Sequence, residues 1–165
     1  MAKQAQKKKT ISINMPESGH ALISHADWYR LTLDGNYMLF DFAYKFNGGL
    51  MDSVRLILHL SNARRFINPF ADFIAKQPDS NFFVPDGLET SFIPSRAVQF
   101  THIDAANRSG NHAEMDFYHL SVAALNRREK NVVEEDMQGI PIARIGMPGE
   151  MVTSVLSQFV ELVSD

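Results

Sequence analysis

The sequence predicts an α+β protein of two similar units. Each is an antiparallel β-meander followed by an amphipathic helix, and the two pack as a pseudo-dimer. Three observations predict this. The stretch Val54–Ile74, VRLILHLSNARRFINPFADFI, reads as strand, cap and helix, and Pro141–Val163, PIARIGMPGEMVTSVLSQFVELV, reads the same way. Two aromatic strands, FDFAY and MDFYHL, each carry an Asp directly before a Phe. Hydrophobic residues make up 45% and charged residues 21% of 165 residues, which is the composition of a chain that builds a core.

The elements follow in order. Residues 1–9 are polar and lysine-rich and read as a flexible basic tail. The first unit spans 10–76. Within it Asp34-Gly35 is a type I′ turn dipeptide between two β-rich arms. In the second arm Phe40, Phe42, Tyr44 and Phe46 share one face, opposite Tyr37, Leu39, Asp41, Ala43 and Lys45, which predicts a half-buried strand. Gly48-Gly49 marks a loop. Val54, Leu56, Leu58 and Leu60 then alternate along a strand, Ser61 is the expected N-cap, and Phe66, Ile67, Phe70, Phe73 and Ile74 recur at helical spacing. Pro69 either kinks this helix or restarts it with Asn68 as cap. The first helix is therefore expected to be the shorter or more bent of the two.

Residues 77–95 hold three of the 7 Pro and read as a linker, with Phe82, Phe83, Phe92 and Ile93 pinning it to the body. The second unit spans 96–165. RAVQFTHID reads as a strand, AANRSGN as a turn, HAEMDFYHLSVAAL as a long strand, NRREKNVVEEDMQG as a charged loop and IPIARIGM as a strand. Pro148 opens a helix whose apolar stripe runs from Met151 to Val163. Leu58 and Leu60 align with Ile145 and Met147 at an offset of 87, whereas the helices align at 89, implying a two-residue insertion at the cap. Duplication and convergence of two such units both account for the pattern.

Composition narrows function. A net charge of -3 and a pI of about 6.0 give no global attraction to nucleic acid or membrane. With 0 Cys, thiolate nucleophiles and cysteine metal sites are excluded, and a reducing cytoplasm fits. No apolar run reaches the roughly 20 residues that span a bilayer, and no apolar segment follows the N-terminal lysines as a secretory signal would require.

Chemistry is sparse. The 6 His show no HExxH spacing, and neither GxSxG, Walker nor dinucleotide patterns occur. His112, Glu114 and Asp116 share a strand face that offers three ligands, but a solvent-facing polar side is the plainer reading, and no metal or cofactor is assigned. His102 and Asp104 share another face, read as a surface pair. Asp41 and Asp116 interrupt aromatic strands at matching places. They are read either as a carboxylate pair facing across a pseudo-twofold axis, or as residues that sit on the wet face of their strands or accept a neighbouring backbone N–H. Lys7, Lys8, Lys9, Arg64 and Arg65 are the candidate partner contacts.

FDFAY with VRLILHLSNARRF, and MDFYHLS with ARIGMPGEM, resemble the bacterial domain-of-unknown-function family numbered 3467, in tandem duplication. In the resemblance Asp41 and Asp116, Arg55 and Arg144, and Ser61 and Pro148 correspond. It implies no activity. In element order, four strands then a helix, each half is also similar to SecB-type export chaperones. The expected function is a non-enzymatic protein-interaction or assembly module, with a protein partner or self-association into a homo-oligomer. The alternatives are a SecB-like holdase using exposed Phe and Met, and a bacterial or phage nucleic-acid accessory protein using the lysine tail.

Overall fold

The computed structural model describes residues 13–76, 92–109, 112–120 and 137–164. It is α+β, with two four-stranded sheets, a two-stranded ribbon and helices. The strands are β1 (Ile13–Asn14), β2 (Leu22–His25), β3 (Trp28–Asp34), β4 (Tyr37–Phe46), β5 (Gly49–His59), β6 (Arg96–Phe100), β7 (His102–Ser109), β8 (His112–His119), β9 (Met137–Gln138) and β10 (Ile140–Pro148). The helices are α1 (Leu60–Ala63), α2 (Ile67–Ala75) and α3 (Gly149–Ser164), with a 3-10 turn at Arg64–Phe66 between α1 and α2.

One sheet runs β3-β4-β5-β6 and the other β2-β10-β8-β7. Within each, three strands form an antiparallel meander, and the fourth joins in parallel: β6 beside β5, and β2 beside β10. Each sheet thus takes its fourth strand from the other segment of the chain. The switch happens at short links. The Ala26 amide donates to Gly146 O in one sheet, and the next amide, Asp27, donates to Ala43 O in the other. Thr101 plays this part between β6 and β7, donating its amide to Tyr118 O while Phe100 pairs with Leu58.

The sheets share one aromatic core. Phe40 packs against Phe100, Phe117 and Phe159, bringing β4, β6, β8 and α3 together. Phe100 and Phe117 meet edge to face at 4.9 Å, a favoured arrangement for aromatic pairs. Helix α3 is buried on all sides from Met151 to Leu156, so it fills the interior rather than covering a surface.

Several expectations change. Strand β4 is not half-buried: Met38–Ala43 are buried on both faces, because Trp28, the arginines and Phe92 cover its outer side. A register shift between Phe42 and Tyr44 turns the strand, leaving Tyr44 and Phe46 exposed instead of in the core. Asp34 pairs with Tyr37, so the first hairpin loop is Gly35-Asn36. Positive φ at Gly35 alone gives a type II′ pattern in place of I′. Gly49 already belongs to β5, and Asn47-Gly48, both at positive φ, make the I′ turn. RAVQFTHID is two strands, and AANRSGN lies largely in β7.

The cap of α1 is His59, whose Nδ1 accepts from the Ser61 amide, so Ser61 is a partner of the cap and not the cap itself. Leu60 starts α1 and is not a strand residue, so the match to Met147 at offset 87 fails. An offset of 89 carries both strand and helix, and no insertion at the cap is needed. The first helical stretch is broken into three short pieces where α3 runs for 16 residues, as Pro69 predicts. Pro69 sits in the first turn of α2, where its missing N–H has no intrahelical partner to lose. Phe92 does pin its segment, by stacking on Trp28, but Ile93 is 77% exposed. Phe82, Phe83, the lysine tail and residues 121–136, which take in the end of the expected long strand and most of the expected charged loop, lie outside the described residues.

Candidate functional site: two buried aspartate–arginine clusters

Alternation along β4 sends Phe40 and Phe42 into the shared core and Asp41 to the opposite face. Arg30 of β3 and Arg55 of β5 are its cross-strand neighbours on either side. Asp41 is fully buried. Arg55 grips it bidentately, Nε to Oδ1 at 2.8 Å and Nη2 to Oδ2 at 3.1 Å. Arg30 donates Nε and Nη2 to Oδ2 at 3.3 and 3.0 Å. The Asp41 hydrogen bond holds the Arg55 guanidinium even more firmly protonated than usual. Phe92 lies over this cluster, its ring centre 5.3 Å from the Arg30 guanidinium carbon and 5.6 Å from that of Arg55.

The second sheet repeats the device. Met115 and Phe117 face the core, and Asp116 faces out. Arg144 of β10 stands directly opposite and binds it bidentately, Nε to Oδ1 at 2.8 Å and Nη2 to Oδ2 at 2.9 Å. That hydrogen bond raises the Arg144 pKa further above its already high value. The segment before β2 covers this cluster: Arg144 Nη2 donates to Glu17 O, and Tyr118 Oη donates to Pro16 O. Burial, with the charge of Asp116 next, pushes the Tyr118 phenol up to about 12. His20 packs edge-on to Tyr118, with its Nε2 3.9 Å from Asp116 Oδ1 and without a hydrogen-bond partner among the described residues. Burial lowers its pKa, outweighing the attraction of Asp116.

These placements correct the readings of the aspartates. Asp41 and Asp116 both point away from the shared core, on different sheets, so they do not face each other as a carboxylate pair. Nor do they lie on a wet face: each is buried and accepts hydrogen bonds from arginine side chains. His112, Glu114 and Asp116 do share one face of β8, but Arg144 takes both carboxylates, with Glu114 at 3.4 Å from Nε. His112 instead stacks on His25 at 5.1 Å above Gly146. Among the described residues no group of three His, Asp or Glu is arranged to hold a metal ion. His102 Nδ1 lies 3.1 Å from Thr101 Oγ1, and Asp104 stands opposite Asp116 in register. Arg64 is exposed and Arg65 half-buried, while Lys7, Lys8 and Lys9 lie outside the described residues.

No protein-family model matches the chain, and no curated protein is significantly similar to it. The clusters therefore speak for themselves. Sequence reading found Asp41, Arg55, Asp116 and Arg144 but missed Arg30, His20, Tyr118 and the role of Phe92. A pairing of β3 with β4 through the short loop would have placed Arg30 beside Asp41. Nothing local marks His20, which reaches Asp116 only through the tertiary fold.

Proposed function

We propose that the chain is a duplicated β-meander–helix unit, assembled as an internal pseudo-dimer, that acts as a non-enzymatic interaction module and self-associates. The duplication is supported by register. Asp41 opposite Arg55 and Asp116 opposite Arg144 recur with aromatic core neighbours, and each unit lends one strand, β2 or β6, to the other sheet. Exchange of this kind buries faces that one unit alone leaves open.

The interaction reading rests on one observation: the buried charged side chains are spent on holding the sheets, while large apolar side chains lie outside. Tyr44 and Met51 are cross-strand partners at the end of the β4–β5 hairpin, and Phe46 follows Tyr44 on the same face. They are 42%, 48% and 54% exposed, forming one apolar patch beyond the core. A second copy of the chain is the proposed partner, since an isologous contact doubles the area such a small patch covers.

Size-exclusion chromatography with light scattering across a dilution series tests this. The wild type should give a dimer or larger species, and Tyr44→Ser with Phe46→Ser should shift it to monomer with an unchanged circular dichroism spectrum. A wild type that stays monomeric at the highest concentration overturns the self-association.

A further inference from the structure

A cavity of about 280 Å³, open on one side, lies between α2, α3 and β7. Phe66, Phe70 and Phe73 form one wall, and Leu156, Ile103 and Ala105 complete it. Arg65, His102 and Asp104 border the same space.

The other half of the molecule explains why this space is open. Tyr29 and Leu31 of β3 pair with Phe42 and Phe40, whereas Ile103 and Ala105 of β7 pair with Phe117 and Met115. The four positions correspond in register about the two aspartates. Tyr29 and Leu31 are buried, and Tyr29 hydrogen-bonds Ser154 where α3 packs on β3. Against α2, the smaller Ile103 and Ala105 leave volume unfilled. The depression this leaves is open to solvent on one side, so a ligand that covers its aromatic walls takes their apolar surface out of water.

We propose that this cavity binds a small planar aromatic molecule bearing a hydroxyl group. An apolar cavity of about 150 Å³ accepts benzene, so about twice that volume suits two fused rings. The walls offer ring faces and edges: Phe66 and Phe70 stack at 5.4 Å, and Phe66 meets His102 edge-on at 5.6 Å. The border carries cationic, anionic and imidazole groups together. A hydroxyl, which both donates and accepts, matches that set better than a charged substituent does.

Titration calorimetry of the full chain with 2-naphthol tests the proposal. Saturable 1:1 binding with a Kd on the order of 10–100 µM is expected. Ala105→Leu, which restores the residue found at Leu31, should weaken binding tenfold or more without lowering the melting temperature. Naphthalene, lacking the hydroxyl, should bind several-fold more weakly than 2-naphthol. Ile103→Tyr, which restores the residue found at Tyr29, provides the same reading where Ala105→Leu does not fold. Absence of saturable binding by the wild type, or an unchanged Kd in the folded variants, overturns it.

Discussion

Replacing Asp41 by Asn keeps the shape of the side chain and removes its charge. It also turns one acceptor oxygen into an amino group facing two guanidinium groups. Hydrogen bonds to charged groups contribute about 1.5–3 kcal/mol. Breaking a fully buried ion pair from one side costs about 3–5 kcal/mol. Both arginines retain access to water, however: the Arg30 side chain is 42% exposed and that of Arg55 27%. The Arg30 share is therefore that of a surface pair, at most about 1 kcal/mol. Asp41→Asn should cost about 3 kcal/mol, Arg55→Met about 2 kcal/mol, and Arg30→Met below about 1 kcal/mol. For a chain of this size the first figure lowers Tm by about 6–12 °C. Urea unfolding followed by circular dichroism, with an unchanged m value, measures the three losses. A loss below about 1 kcal/mol for Asp41→Asn, or equal losses for the two arginine variants, would refute the argument.

Other outcomes follow from the same geometry. Because burial lowers the His20 pKa below its unfolded value of 6.5, the unfolded state takes up more protons on acidification. Stability should therefore fall as pH drops below about 6.5, and more steeply than in His20→Gln, as read by urea midpoints across pH. Gly146→Ala would place a Cβ 2.7 Å from His25 Nδ1 and 3.1 Å from His112 Cε1, so the imidazole stack must part. That variant should lose about 1–2 kcal/mol and show altered His25 and His112 ring proton shifts by NMR. Phe92→Ala removes the ring that stacks on Trp28 and contacts both guanidinium groups, and should cost about 1–2 kcal/mol in the same unfolding assay.

The sequence made much of the fold legible because alternation and helical spacing are local. Val54–Leu58 and Ile140–Met147 are strands, and the apolar spacing from Met151 to Phe159 becomes the buried run of α3. Pro69 marked the broken first helix, since a ring without an N–H acts on its own backbone whatever surrounds it. The candidate site was legible only in part. Asp41 and Asp116 stood out as charges inside aromatic strands, yet their partners lie 11 to 28 residues away across ladders whose register the sequence does not spell out. Tyr44 and Phe46 were placed inward because a register shift between strands leaves no mark in the residues themselves.

What the sequence alone determined is the inventory: two meanders, two helical stretches, and an Asp inside an aromatic strand of each unit. These depend on hydrophobic period and backbone preference, which act over a few residues. Only the tertiary structure decided that β2 and β6 join the sheets of the opposite segments, and that the two aspartates face away from each other. It also decided that α3 is interior while α2 leaves a cavity against β7. Those choices follow from which faces find cover, and cover is supplied by residues far along the chain: Phe92 against Arg55, Pro16 and Glu17 against Tyr118 and Arg144, and Phe159 against Phe40.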